Sequence, residues 1–347
     1  MILLRELKID DLDTLERFSQ IPGFINLPND RDLLKEKILR STASFTDRIT
    51  NKNDAKYIFA AQDLESGRVV GTSMIAARHG SEESPHFYFE VGSEQKFSTT
   101  INTGFIHGTL KLKYDTDGPS EIGGLVIDPE IRNSDARVGR QISFVRFLFL
   151  GLHRARFKRK IIAELLPPLN IKGLSPLWEA VGRRFTNMDY WEADHLCQKS
   201  KEFIFSLFPS GKIYTTFLSA EARSAIGKVG RETEPVLHML NKIGFVYKNQ
   251  VDPFDGGPHL WANVEDLMPV KKIAQGVYEG VSSAAGGPFD SGLLSKIEHS
   301  VGTFRAVAVH ARIEGQRIFL SNESDCGGVE HALGLARGDA IAFMPYY

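Results

Sequence analysis

The 347-residue sequence predicts an α/β fold followed by a small C-terminal β region. Three observations carry it. Short apolar runs alternate with amphipathic helical segments as far as about residue 272. Residues 120–157 read as strand, polar loop and long helix in succession. Beyond a Gly-, Ser- and Ala-rich stretch at 274–296, the pattern is strand and turn.

The elements follow in order. "ILLREL" is a short strand, and Asp10 or Asp11 can cap a helix through Phe18. Over 31–40, Leu33, Leu34, Lys37 and Ile38 recur at helical spacing behind Asp30 as cap. Residues 55–77 form a hairpin turning at Glu65-Ser66-Gly67. "HFYFEVG", "TGFIHGTLKLKY" and "SEIGGLVID" are further strands. A helix is expected from about Ala136 to Phe157, with Val138, Ile142, Val145, Phe149 and Leu152 on one face. "KIIAELL" is a buried strand stopped by Pro167-Pro168. "SPLWEAVGRRF" is a short helix with Ser175 as cap and Pro176 at its first position. "KEFIFSLF", "SAEARSAIG" and "EPVLHMLNKIGF" are helices, the last closed by Gly244. A hairpin around "DPFDGG" follows. Residues 274–296 read as a linker or long loop, and hairpin strands end the chain. The expected division is an elaborated domain over 1–272 and a linker with a small β domain over 273–347.

Composition excludes several classes. The chain is 42% apolar and 24% charged, with net charge −1, so no bulk nucleic-acid or membrane attraction is expected. Cys197 and Cys326 are the only cysteines, too few for a disulfide framework. The N-terminus reads as no signal peptide, and no apolar run reaches the ~20 residues of a membrane span. These point to the cytoplasm. Cys197 stands near His195 without a second pair at ligand spacing, so zinc, and any other metal, is not expected.

The loop after "SEIGGLVID" carries the chemistry. A helix start offers unpaired N–H groups and partial positive charge. Arg132, Arg137 and Arg140 add charge against Asp128, Glu130 and Asp135, and Gly139 lets a phosphate approach the backbone. Alone, the loop is better read as a solvated helix start with surface arginines. The strand before it tips the balance. Gly123-Gly124 inside an apolar strand implies a bulge or a ligand against the backbone. An extended phosphorylated ligand could then pair its arm with Leu125 and Val126 and seat its pyrophosphate at Arg137, Val138, Gly139 and Arg140.

Here the residues resemble a known group. The strand, Arg-x-Gly loop and helix, then "IIAEL" and "SPLWEAVG", look like the core of the GNAT acyl-CoA N-acyltransferase superfamily. "SEIGGLVIDPEIR", "SPLWEAVGRRFTNMDYWEAD", "FPSGKIYTTFLS" and "VDPFDGGPHL" narrow it to the arginine N-succinyltransferase family. The resemblance implies a GNAT-like mixed sheet flanked by helices. It implies succinyl transfer from succinyl-CoA to the α-amino group of arginine, no permanently bound cofactor, and a homo- or hetero-oligomer. Leu125 matches the family's succinyl-CoA contact. Three departures stand out. Gly230 occupies the place of the family's proposed proton-donor histidine. Leu166-Pro167 replaces Arg-Gly. The phosphate loop is longer and lacks a second glycine.

Glu121 is therefore the first candidate base. It sits four residues before Leu125, on the same strand face by alternation. Arg231 could hold a carboxylate, and Asp255 a guanidinium, although a turn-stabilising role for Asp255 is favoured. His238, Trp178 and Trp191 read as packing residues, and His259 lies near the wide turn. A different amine or acyl-CoA, or a non-catalytic partner subunit, are the rival readings.

Overall fold

The computed structural model describes all residues except 22–26, 28, 132–136, 171, 198–199, 283–286, 299–301, 323–324 and 347. The strands in chain order are β1 (Ile2–Glu6), β2 (Lys56–Asp63), β3 (Val69–Ala76), β4 (His86–Ser98), β5 (Thr103–Asp115), β6 (Ser120–Ile127) and β7 (Lys160–Glu164). Then come β8 (Lys212–Tyr214), β9 (Val246–Val251), β10 (Pro258–Asn263), β11 (Ala274–Ser282), β12 (Asp290–Lys296), β13 (Arg305–Glu314), β14 (Arg317–Ser321) and β15 (Ala340–Pro345). The class is mixed α/β, with the C-terminal β region the sequence predicts.

The chain forms two compact units. One comprises Met1–Ala77, Ser120–Arg159 and Asn263–Tyr347; the other comprises Arg78–Pro119 and Lys160–Ala262. The boundary expected at 272/273 does not separate them. The reason is strand pairing: Leu3 on β1 faces Val307 on β13, so the C-terminal strands belong with the N-terminal ones.

In the first unit the strand order is β12-β15-β11-β14-β13-β1-β2-β3-β6. β12 also pairs with β13, so the five C-terminal strands close on themselves around Tyr278, Leu294, Val307, Ile318 and Phe343. Among the described residues of this unit, only β11–β14 is parallel. The expected linker at 274–296 is instead β11 and β12. Two of its glycines, Gly276 and Gly292, mark close backbone approach rather than looseness. A Cβ on Gly276 would lie 2.3 Å from the Gln316 carbonyl, and one on Gly292 2.3 Å from that of Met344.

The sheet region β1-β2-β3-β6 has apolar residues on both faces. On one, the helices Leu12–Ser19 and Arg31–Phe45 supply Leu15, Phe18, Leu34 and Ile38, packed with Ile58, Ala60 and Val126. Asp30 caps the second helix as expected, accepting from the amides of Asp32 and Leu33. On the other lies the helix Val138–Leu152, which ends five residues before Phe157 and is buried along most of its length. Its Phe149 ring packs edge-on to Phe45, Phe59 and Phe304 at 5.1–5.3 Å. Ser73 Oγ donates to the Ile142 carbonyl at 2.7 Å and ties helix to sheet.

In the second unit the order is β7-β10-β9-β4-β5-β8. β4 and β5 form a long hairpin, paired from His86↔Asp115 to Ser98↔Thr103. The single helix expected from "SPLWEAVGRRF" is two short ones, Pro176–Ala180 and Gly182–Thr186. Trp178 packs flat on Phe254 at 4.7 Å and its Nε1 donates to the Met188 carbonyl. Short elements at Tyr190–Cys197, Lys212–Tyr214 and Cys326–Leu333 carried no sequence reading.

Candidate functional site

The first unit holds the bulged strand. Gly123 faces Met74 and Val126 faces Thr72, so Gly124 and Leu125 together oppose Ser73 alone. Gly124 takes φ +57, a left-handed conformation that glycine adopts without strain. The extra residue also breaks alternation. Glu121, Gly123 and Val126 pair with Ala76, Met74 and Thr72, which are two apart and share one face. Leu125, next to Val126, belongs to the other. The same-face argument for Glu121 and Leu125 is thereby corrected: a bulge inserts one residue and inverts the pattern beyond it.

β6 leads into the helix Val138–Leu152. Arg137, at its N-cap, has φ 46 and ψ 44 and is exposed. Arg132 and Asp135, which the charge count included, lie outside the described residues. Asp128 is 3% exposed and accepts from Arg17 at 2.8 Å and Arg68 at 3.5 Å. Arg68 also reaches Glu130. These two carboxylates thus pair with arginines from β3's approach and the first helix. Arg140 lies 4.3 Å from the Tyr346 ring centre, over its face, and burial holds its guanidinium below the usual range. Val138 is buried. Gly139 has a packing reason too: a Cβ there would sit 2.6 Å from Ile127 Cδ1. A cavity of about 470 Å³ opens beside this first helical turn, walled by Ile2, Val70, Ile131, Val138 and Gln141.

The second unit holds a set of ionisable groups that sequence reading missed. His86 begins β4, Glu164 ends β7, and His259 is the second residue of β10. His79 precedes β4, its amide bonded to the Pro119 carbonyl. Three ring nitrogens converge on Glu164 Oε1: His79 Nε2 at 3.8 Å, His86 Nδ1 at 3.7 Å and His259 Nε2 at 3.5 Å. Gly80, at φ +97, permits the approach; a Cβ there would lie 2.8 Å from His86 Cβ. The rings of His79 and His86 meet edge-on at 4.4 Å. Four residues drawn from 79 to 259 leave no local spacing, so only the fold reveals them.

The "DPFDGGP" turn lies alongside. Asp252 Oδ1 accepts from the amides of Phe254 and Asp255, and Asp255 Oδ1 from Gly257 at 2.7 Å. Burial, then the charge of Asp252, pushes the Asp255 carboxyl well above the usual range. Asp255 therefore serves the turn, as favoured. Gly230 donates its amide to the Leu166 carbonyl at 2.9 Å, joining two of the three departures from the family pattern. Arg231 is exposed in the following turn. His238 and Trp191 are exposed rather than packed, Trp191 by 48%, since each faces outward on a short surface helix. Cys197 and Cys326 are free thiols.

The family model described as "Arginine N-succinyltransferase beta subunit" matches residues 2–269. The chain belongs to the arginine N-succinyltransferase family. Among relatives, it is 32% identical over 324 residues to the arginine N-succinyltransferase of Enterobacter sp. (strain 638), covering 92% of each chain. It is 32% identical over 325 residues to that of Citrobacter koseri, again 92% of each. Among solved structures, the arginine/ornithine succinyltransferase subunit AI from Pseudomonas aeruginosa superimposes with TM-score 0.82 at 26% identity, covering 99% of this chain and 98% of that one. The likeness to that solved structure runs over nearly the whole chain.

Proposed function

We propose that the chain transfers a succinyl group from succinyl-CoA to the α-amino group of arginine. The observation that carries this reading is the bulged β6 leading into a helix start with a left-handed Arg137 and a glycine at its second residue. In this reading the pyrophosphate of the acyl-CoA sits on the amides of Val138 and Gly139, with Arg137 and Arg140 adding charge. The residue at a bulge is left out of the ladder, so the Leu125 amide is assigned to the thioester oxygen as it becomes an oxyanion. Val126 flanks the acyl arm. The amine must lose a proton before attack; Glu121 is assigned that proton, directly or through water. The departing thiol titrates near 8.5 and needs only a modest acid.

The protein is proposed to work in the cytoplasm, in keeping with its two free thiols; among the described residues no helix is long and apolar enough to cross a membrane. It is also proposed to self-associate or to join a related chain. The β4–β5 hairpin supports this: it exposes Phe97, Ile101, Phe105 and Ile106 by 62%, 67%, 59% and 75%.

Thiol release from succinyl-CoA against a panel of amines tests the reading. Arginine-dependent release is expected. Release with another amine but not arginine would remove the substrate assignment. No release with any amine, together with no thermal shift on adding CoA, would favour a non-catalytic partner role.

A further inference from the structure

We propose that the second unit holds a divalent transition-metal ion of the zinc class, bound by His79, His86 and Glu164. The proposal does not depend on the acyl-transfer reading.

The spacing is the first argument. The three nitrogens lie 3.5–3.8 Å from one carboxylate oxygen, beyond a good hydrogen bond. In a tetrahedral site with bonds of ~2.0–2.2 Å, neighbouring ligand atoms stand roughly 3.3–3.6 Å apart. The separations of His79 and His86 from Glu164 Oε1 exceed that by a few tenths of an ångström at most, and His259, grouped with Glu164 and Asp252, is placed as an outer partner. The donor atoms of His79, His86 and Glu164 lie within 4.8 Å of one another, as do those of Glu164, Asp252 and His259.

The second argument is His86. Its ring is 1% exposed, and neither nitrogen has a hydrogen-bond partner among the described residues. A buried imidazole left so is costly unless something else binds it.

The donor chemistry narrows the ion. Magnesium and calcium prefer all-oxygen shells, whereas imidazole-rich sets suit zinc, cobalt, nickel, copper or iron. Glu164 and Asp252 supply two carboxylates to these donor groups. Asp252, pinned by the amides of Phe254 and Asp255, is placed as an outer partner that steadies the set. An entry path exists, because His79 and Glu164 keep side-chain exposures of 19% and 28%.

The test uses the untagged full-length chain, stripped with a chelator. Added zinc chloride is expected to bind as one ion per chain by calorimetry and elemental analysis, and to raise Tm. Cobalt chloride is expected to give the intense visible absorption of a four-coordinate ion. His86→Ala and Glu164→Gln should each weaken zinc by more than the ~10–100-fold of an outer-partner change. His79→Asn, at a partly exposed position, should do the same in a chain that still folds. Failure of the stripped wild type to take up zinc or cobalt stoichiometrically would overturn the proposal. So would unchanged affinity in a folded His79→Asn.

Discussion

The amide of Gly230 donates to the carbonyl of Leu166 at 2.9 Å, binding together two positions that the sequence reading sets apart from the family pattern. The carbonyl of Gly230 in turn accepts from Thr233 and Glu234 at the start of the helix Glu234–Ile243. A Cβ at Gly230 would sit 3.1 Å from the Pro167 carbonyl, part of a proline backbone that yields little. Restoring the family's residue is therefore expected to harm. Gly230→His should lower stability by ~1–3 kcal/mol and bring no gain in arginine-dependent rate. Thermal melting and thiol release measure the two; a faster enzyme with unchanged Tm would contradict the expectation.

Gly139 separates packing from binding. In Gly139→Ala the methyl meets only Ile127 Cδ1, the end of a flexible side chain. The strain is offset in part by a helix-propensity gain of ~1 kcal/mol, so stability should change little. Gly139→Asp places a carboxylate where phosphate is proposed to lie, and CoA affinity measured by calorimetry should vanish. An Asp variant that binds CoA like the wild type would remove the phosphate seat.

His153 gives a pH dependence. Burial and, secondarily, Arg156 pull it from 6.5 down to about 4. Its ring packs 4.3 Å from that of Phe149. Between those values the unfolded chain holds a proton that the folded chain does not, so unfolding takes one up and stability falls as pH drops. His153→Gln should flatten part of the decline in Tm across that window. Parallel curves for variant and wild type would show that His153 contributes nothing to it.

The apolar hairpin gives a prediction about assembly. The wild type is expected to run larger than one chain in sedimentation or light scattering. Phe105→Ser with Ile106→Ser should shift it toward the single chain while leaving Tm nearly unchanged, because both side chains are already exposed. A single-chain wild type would refute this.

Much of the fold was legible in sequence because its elements carry local signatures. Asp30 and Ser175 cap where expected, and Gly244 ends its helix at φ 117. The phosphate-loop candidates lie together because they are adjacent in sequence. What failed was non-local. The glycines of 274–296 read as looseness, yet Gly276 and Gly292 sit where neighbouring backbones press in. The face of Glu121 was lost to a one-residue bulge that periodicity does not reveal. The three histidines around Glu164 meet only through β4, β7 and β10.

The position of β1 also bears on how the chain is made. It lies between β2 and β13, and Glu6 Oε2 accepts from the Phe304 amide. Leu3 must therefore wait for Val307, which at ~5–20 residues per second emerges on the order of 15–60 s later. Until then one edge of β1 is open, an invitation to wrong pairing that a nascent chain must survive on the ribosome. A release after residue 272 would leave that edge open permanently. Such a fragment is expected to engage chaperones or precipitate, rather than persist as a smaller enzyme.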